Sequence, residues 1–128
     1  MQNNQPRLSR GKIHHSFGFA LSGIVHAFRD NRNVRIHTTI AILVIIASFI
    51  LELTKIEKLI LLLVIILVIA SEMINTALEE MTDLITNEHK QQAKAAKDVA
   101  AGMVLVASIG SLIVGAIIFA PYVIKLLK

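Results

Sequence analysis

Three long apolar segments restrict what this chain of 128 residues can fold into. No Lys, Arg, Asp or Glu occurs in residues 36–51, 59–71 or 99–124, which gives segments of 16, 13 and 26 residues. A helix needs about 20 residues to cross the ~30 Å hydrocarbon core of a bilayer. The third segment has that length, and the first has it with its flanking residues. The second has it only if the helix continues through Glu72, which places a carboxyl group within or at the edge of the membrane.

The composition favours a membrane protein over a soluble one. Hydrophobic residues make up 55% of the chain and charged residues 17%, whereas soluble domains carry about 45–50% and about 25%. So short a chain has too little interior to bury this much apolar surface. Cysteine is absent, which excludes a disulfide scaffold, a cysteine-ligated metal site and thiol catalysis. We therefore expect one all-α membrane domain over residues 1–128, with transmembrane helices at about 35–53, 57–85 and 93–125.

The basic residues flank the apolar segments. The formal net charge is +4, but a nucleic-acid binder would also need a basic face with aromatic residues for stacking. Aromatic residues are 5% of the chain and tryptophan is absent, so we expect no nucleic-acid partner. Alternate sides of the membrane receive nine and four Lys or Arg residues. The positive-inside rule then predicts a cytoplasmic N-terminus and an external C-terminus.

A further helix is expected before the first span, at about residues 11–30. Apolar side chains recur there at steps of three and four residues, which makes one stripe of a helix. The stripe contains Phe17, Leu21, Ile24, Val25 and Phe28. An amphipathic helix of this kind lies in the plane of the membrane interface.

The second span carries a polar stripe. At about 100° per residue, the polar residues between positions 72 and 83 fall within roughly a third of the helix circumference. They are Glu72, Asn75, Thr76, Glu79 and Asp83. Ionisable groups at membrane depth cost several kcal/mol unless they are paired or hydrated, so by default they indicate function. The alternative for Glu72 is a structural ion pair with a neighbouring helix.

Two charged residues precede the third span. Lys97 and Asp98 would lie near the polar stripe if the second and third spans form a hairpin. A cation there could bind phosphate or could neutralise a carboxylate, and the spacing does not decide between the two. The alanines that follow, together with Gly102, are expected to allow close helix approach.

Acidic groups, a cation and a site at lipid depth suit phosphoryl transfer to a lipid alcohol. One carboxylate can accept the hydroxyl proton, others can hold Mg²⁺ against the phosphates, and a lysine can balance the developing charge. Neither classical glycine-rich nucleotide loop occurs in the sequence,. The five histidines lack the HExxH spacing of a zinc site,.

These residues resemble the small prokaryotic diacylglycerol kinase family of membrane enzymes. The signature E-x-x-N-[ST]-[SA]-[LIV]-E-x-x-[VT]-D is matched at every specified position by residues 72–83, which read E-M-I-N-T-A-L-E-E-M-T-D. The A-K-D element of the family is matched by Ala96, Lys97 and Asp98. The order of the spans, the N-terminal helix and the chain length are also similar, so the resemblance covers essentially the whole chain.

The resemblance implies a homotrimer in the bacterial cell membrane, with composite active sites near the cytoplasmic interface and ATP with Mg²⁺ as phosphoryl donor. It places the catalytic proton acceptor at Glu72 with Asn75 beside it, and a metal ligand at Glu79. It assigns nucleotide contacts, beside Glu79 itself, to Lys12, Phe19, Glu88, His89, Lys90, Lys97 and Asp98.

One position departs from the family pattern. The family commonly has a second metal-binding glutamate where this chain has Asn31. A neutral amide oxygen is a weaker ligand than a carboxylate for Mg²⁺, which is bound mainly through carboxylates and phosphates. Asp30 could substitute, although one helical residue changes the direction of a side chain by about 100°. The expected metal ligands are therefore Glu79 and Asn31, or Glu79 and Asp30.

The acceptor is predicted from resemblance to one branch of the family. Residues 32–37 and 83–86 are similar to the Gram-positive branch, which acts mainly on undecaprenol. We therefore expect an undecaprenol kinase, with diacylglycerol kinase as the alternative. A third possibility is a non-catalytic membrane protein in which Glu72 relays protons, and lipid-dependent ATP consumption would distinguish it from a kinase.

Overall fold

The computed structural model describes residues 10–85 and 90–128, which form four α-helices and no β-strand. They are α1 (Arg10–Asp30), α2 (Arg32–Ile50), α3 (Lys55–Ile85) and α4 (Gln91–Leu126). The last three are long and apolar enough to cross a membrane. The expectation of an all-α membrane protein with three spans and an N-terminal helix is confirmed.

The first helix joins the second through a tight, capped junction. The Asn31 side chain accepts hydrogen bonds from the main-chain N–H groups of Asn33 and Val34, so it is the N-cap of α2. This cap starts α2 at Arg32, three residues before the expected boundary. The Arg35 guanidinium donates to the carbonyls of Phe28 and Arg29 at 3.2 and 2.6 Å. A cation at these carbonyls also complements the negative end of the α1 dipole.

The predicted apolar stripe of α1 is largely uncovered by protein. The side chains of Phe17, Leu21, Ile24 and Val25 are exposed, whereas Ala27 is buried and Phe28 is half-buried. The helix therefore touches the rest of the chain near its C-terminal end. Its free apolar side is available to the membrane interface.

The second helix ends earlier than expected, at Ile50, in a Schellman motif. The main-chain N–H of Leu53 donates to the Ser48 carbonyl at 3.1 Å, and that of Glu52 donates to the Phe49 carbonyl at 3.2 Å. Glu52 has φ of 52°, the left-handed conformation that this motif needs at the position after the cap,. Leu53 then turns inward and is buried.

The third helix begins in a capping box. The Glu57 carboxylate accepts from the main-chain N–H and the hydroxyl of Thr54 at 2.8 and 2.7 Å, and the Glu57 N–H donates to the Thr54 hydroxyl. The Tyr122 hydroxyl of α4 also donates to Glu57, at 2.7 Å. This contact attaches α4 to the start of α3.

Helices α3 and α4 form an antiparallel hairpin that is fixed at both ends. At one end is the contact between Glu57 and Tyr122, and at the other Lys97 pairs with Asp83. A small core of Leu53, Leu61 and Ile118 lies near the first end, with partly buried neighbours around it.

Small residues allow close packing at alanines rather than at glycines. Ala41, Ala100 and Ala107 are buried where helices meet. A Cβ added to Gly102 or Gly115 would meet open space. The expectation that Gly102 permits close helix approach is therefore wrong within one chain, because its Cα faces no neighbouring helix.

Candidate functional site

The centre of the site is Glu72, on the inner side of α3. Its side chain is 1% exposed, and its Oε1 lies 3.3 Å from His37 Nε2 of α2. Its Oε2 is buried and has no hydrogen-bond partner among the described residues. A buried carboxylate with one paired and one unpaired oxygen can accept a proton from a group that enters the site.

Asn75 and Glu79 continue the same side of α3 towards its C-terminus. The Asn75 side-chain N–H donates to Glu79 Oε1 at 3.0 Å. Asn75 is buried, and its Oδ1 has no partner within the described part of the chain. Seven residues separate Glu72 from Glu79, which is about 10 Å along the helix axis. Two carboxylates at this separation can each contact a different substrate when two substrates are bound side by side.

The junction of α1 and α2 lies against the turn of α3 that precedes Glu79. The Asn31 Nδ2 donates to the Thr76 hydroxyl at 2.6 Å, while its Oδ1 accepts from Asn33 N–H at 2.7 Å. Asn31 therefore acts here as a cap and a link between helices. In residues 10–85 and 90–128, no three acidic or histidine side chains converge in a way that could hold a metal ion. The assignment of a second metal ligand stays a prediction.

His26 links the same junction to α3 and was not predicted as a site residue. Its Nδ1 lies 2.8 Å from Asp30 Oδ2, and its Nε2 lies 2.7 Å from Glu80 Oε1. The hydrogen bond to Glu80 raises the pKa of His26, and the charges of Glu80 and Asp30 raise it further. An imidazolium donates from both ring nitrogens, so the protonated form satisfies both carboxylates. Asp30, the alternative metal ligand, is engaged in this contact.

Of the two charged residues before the third span, Lys97 lies where the hairpin was expected to bring it. Lys97 Nζ lies 2.6 Å from Asp83 Oδ1, at the C-terminal end of the polar stripe on α3 that the sequence predicted. Asp98 pairs instead with Lys94 at 2.6 Å, within α4. Of the two alternatives for Lys97, the structure displays the neutralised carboxylate, and phosphate binding by this lysine stays a prediction.

The remaining predicted nucleotide contacts among the described residues lie on α1 and around the start of α4, and their role stays a prediction. Phe19 is exposed on α1, where its ring centroid lies 6.3 Å from that of His15. Lys12 is part of α1, and Lys90 directly precedes α4. Glu88 and His89 lie outside the described residues.

An apolar groove leads away from His37. It has a volume of about 590 Å³ and runs between α2 and α4, with α3 as its floor. From His37 near Glu72 it extends to Leu61 and Phe119. Leu61 is eleven residues from Glu72, or about 16 Å along the helix. The groove therefore covers about half of a ~30 Å hydrocarbon core.

The partners of His37 and His26 were missed because they lie on other helices. A weak signal existed for His37, which lies between Val34 and Ala41 at helical spacing, and both of these are buried. Pattern analysis could have placed His37 near the packed side of α2. It could not have identified Glu72 as the neighbour, because that depends on how α2 and α3 are rotated against each other.

Comparison with known proteins agrees with this arrangement of helices and polar groups. The family profile described as prokaryotic diacylglycerol kinase matches residues 18–119. The undecaprenol kinase of Bacillus subtilis is 40% identical over 121 residues, which are 94% of this chain and 98% of that protein. A diacylglycerol kinase of Synechocystis is 42% identical over 113 residues, covering 88% and 65% of the two chains. A diacylglycerol kinase of Haemophilus influenzae is 31% identical over 102 residues, covering 79% and 86%.

Proposed function

Because this chain belongs to the prokaryotic diacylglycerol kinase family and is a lipid kinase, we propose that it transfers the γ-phosphate of ATP to undecaprenol. The product would be undecaprenyl phosphate. The observation that carries the proposal is the buried Glu72, which lies beside the head of an apolar groove and whose Oε2 has no hydrogen-bond partner in residues 10–85 and 90–128.

Glu72 is the catalytic base of this proposal. Its Oε2 accepts the proton of the lipid hydroxyl as the hydroxyl oxygen bonds to the γ-phosphorus. The bond between that phosphorus and the bridging oxygen of ADP breaks in the same displacement. A positioned general base contributes about 10²–10⁴-fold in rate. Burial supports this role, because it excludes water from the group that must take the proton.

The groove supports a long apolar acceptor. Its lining is almost entirely aliphatic side chains of α2, α3 and α4, so a hydrocarbon chain can enter from the bilayer. Among the described residues that line it, the one ionisable side chain is that of His37, which lies next to Glu72. A lipid alcohol in this groove would place its single polar group at the base and its tail towards Phe119.

The donors around Glu79 suit Mg²⁺, which prefers carboxylate oxygens and phosphates. Glu79 would hold the ion, and Asn31 or Asp30 would supply a second oxygen from the neighbouring junction. The hydrogen bond from Asn31 to Thr76 supports this grouping, because Thr76 is one turn from Glu79. The ion neutralises the charge of the ATP phosphates when it is bound. Asn75 orients Glu79 through its amide hydrogen bond.

The nucleotide would lie on the cytoplasmic side of this carboxylate. Lys97 would exchange its contact with Asp83 for the phosphates, and Asp98 lies next to it in the sequence. From the family resemblance, Lys12, Phe19, Glu88, His89 and Lys90 complete the nucleotide site.

A stripe on the outer side of α3 supports a homotrimer. Exposed small and apolar residues recur there at alternate steps of four and three, which is the spacing of a helix–helix seam. The residues of this α3 seam are Leu63, Leu67, Ala70, Ile74, Ala77 and Met81. Alanines allow close approach of helices in membranes. Three copies packed through the α3 seam would leave α2 and α4 outside, and the detergent-corrected mass should equal three chains.

The charge distribution supports a membrane orientation with the N-terminus in the cytoplasm. Four basic residues lie at the end of the molecule that contains Glu79. They are Arg29 of α1, Arg32 at the start of α2, and Lys94 and Lys97 of α4. The positive-inside rule then places this end in the cytoplasm and the end with Tyr122 outside. ATP would reach the site from the cytoplasm.

Diacylglycerol is the second candidate acceptor, favoured by the Synechocystis and Haemophilus influenzae relatives named diacylglycerol kinase. Initial rates with undecaprenol and a medium-chain diacylglycerol, in the same micelles at equal mole fraction, distinguish the two. We expect kcat/KM to be about tenfold higher for undecaprenol, or roughly 1.4 kcal/mol in barrier height. A higher kcat/KM for diacylglycerol would make diacylglycerol the preferred acceptor. ATP consumption that does not depend on any lipid alcohol would contradict the assignment of lipid kinase activity.

A further inference from the structure

Among the described residues, the ionisable side chain in contact with the Glu72 carboxylate is that of His37. The 3.3 Å contact joins Nε2 of α2 to Oε1 of α3, and the histidine side chain is 26% exposed while the glutamate is 1% exposed. The mechanism proposed above uses Glu72 and does not use His37. The contact therefore needs an explanation of its own.

A carboxylate at this depth must be stabilised if it is to act as a base. An ionised group in a low-dielectric site costs several kcal/mol unless it is paired. Asn75, one turn away, directs its amide to Glu79 instead. Thr76 donates to the main-chain oxygen of Glu72, so it holds the helix rather than the carboxyl group. Neither Asn75 nor Thr76 therefore stabilises the Glu72 carboxylate, so a partner on another helix has to do so.

The position of His37 on α2 is well fixed. Val34, one turn before it, is fully buried, and Ala41, one turn after it, is also buried. Both hold this side of α2 towards α3. The imidazole is thus presented to Glu72 by packed backbone and is not a freely moving surface group.

We propose that His37 is a positioning residue for the phosphoryl transfer, pairing with Glu72 Oε1 so that the carboxylate stays ionised and Oε2 remains available to the lipid hydroxyl. This inference rests on the proposed function of Glu72 as a base. The assignment of the two oxygens follows from the structure, because Oε1 faces the histidine and Oε2 is buried without a partner among the described residues. His37 also borders the groove, so it lies where the acceptor head group would enter.

Two substitutions separate this role from simple packing. His37→Leu keeps an apolar side chain of useful size and removes the N–H donor, whereas His37→Gln keeps an N–H donor at a similar distance from the backbone. We expect His37→Leu to lower kcat about tenfold or more with KM for ATP changed less than about twofold. His37→Gln should recover most of that loss. Equal activity of His37→Leu and wild type, or equal loss in both variants, would overturn the proposal.

A double-mutant cycle tests whether His37 acts through Glu72. Single-turnover rates are compared for wild type, His37→Leu, Glu72→Gln and the double variant. Residues that act as one unit give strongly non-additive losses, so His37→Leu should cost less than about twofold when Glu72 is already Gln. Losses that multiply would show that His37 acts elsewhere.

Infrared difference spectroscopy gives a readout that does not depend on turnover. At neutral pH, His37→Leu should gain the C=O band of a protonated carboxyl group, and the band should be absent from the double variant with Glu72→Gln. No such band in His37→Leu would contradict the proposal. Failure of the proposed function is distinguishable, because it would appear as a wild-type protein without lipid-dependent ATP turnover, whatever the spectra show.

Discussion

Lys97 Nζ lies 2.6 Å from Asp83 Oδ1, and this ion pair holds the start of α4 against the acidic end of α3. Lys97 is 36% exposed on its side chain, whereas Lys94, one turn earlier, is 77% exposed and pairs with Asp98. Exposed ion pairs contribute only about 0–1 kcal/mol to stability. Since the ion pair itself adds little stability, we propose that Lys97 serves mainly as a cation for the nucleotide phosphates,.

Lys97→Gln should weaken the use of ATP. We expect KM for ATP to rise about tenfold, because the lysine is a point charge for the phosphates, with little change in melting temperature. Lys94→Gln is the matched control on the same helix and should change KM for ATP less than about twofold. Steady-state kinetics at saturating lipid measure both. Equal effects of the two substitutions would remove Lys97 from the nucleotide site.

Glu79→Gln should raise the Mg²⁺ concentration needed for half-maximal activity by about tenfold or more, because in the proposed site Glu79 would hold the ion that neutralises the ATP phosphates. The Mg²⁺ titration is performed at fixed ATP. Glu80→Gln is the neighbouring control, since Glu80 is engaged with His26. A Mg²⁺ requirement that moves with Glu80 and not with Glu79 would reassign the ligand.

Asn31→Asp tests the second ligand and keeps a side-chain oxygen for the N-cap of α2. If Asn31 faces the metal, the added charge should lower the Mg²⁺ requirement severalfold. Asp30→Asn is measured beside it. If Asp30→Asn raises the Mg²⁺ requirement and Asn31→Asp leaves it unchanged, the second ligand is Asp30.

The link between His26 and the two carboxylates should make α1 sensitive to pH. A histidine whose pKa is raised on folding contributes stability that is fully present below its unfolded pKa of about 6.5 and is lost as pH rises through the folded value. The pKa of His26 is raised by Glu80 and Asp30. Amide hydrogen exchange in α1, corrected for the intrinsic rate, should therefore lose protection as the pH rises from about 6.5 through the raised pKa of His26,.

The control for this pH dependence is substitution of the two histidines of α1. His26→Gln should make the protection of α1 nearly independent of pH over that range. His15→Gln changes a histidine that lies against Phe19 on the same helix, and it should leave the pH dependence as in wild type. A pH dependence that survives His26→Gln would assign it to another group.

Filling the groove should affect the lipid and not the nucleotide. Gly115 lines the groove, and a Cβ added there meets open space. Gly115→Leu should raise KM for undecaprenol about tenfold, within the ~1–3 kcal/mol that shape differences in apolar pockets produce. Gly110→Leu adds the same bulk to a position on α4 that also has open space and does not line the groove. Equal effects on KM for the lipid would argue against the groove as the acceptor site.

The apolar segments predicted the number and order of the helices because hydrocarbon thickness sets the length of a spanning helix. Their ends were displaced by capping. Asn31 starts α2 early, and the left-handed Glu52 ends it early. The Thr54 and Glu57 pair of the capping box was present in the sequence and could have placed the start of α3. Glu52 could not have been anticipated, because glycine is the usual residue at that position.

The site was predictable along one helix and not between helices. The spacing of Glu72, Asn75 and Glu79 predicts a shared side of α3. The family resemblance predicts their chemistry, and the family match shows the family, while the role of each residue stays a prediction. The neighbours of the acidic residues, His37 and His26, depend on the rotation of α2 and α1 about their axes. A helix that is apolar on most sides has no single stripe of residues that must be buried against protein. Its sequence therefore does not determine its rotation.

The central claim is that Glu72 is the base for phosphoryl transfer to a lipid alcohol. Its most direct measurement is the rate of γ-phosphate transfer from labelled ATP to undecaprenol by wild type and by Glu72→Gln in the same micelles, with ATP binding measured in parallel. An amide cannot accept the hydroxyl proton, so we expect kcat to fall about 10²–10⁴-fold while ATP affinity and the fold are retained. Retention of more than about half of the wild-type rate would contradict the account.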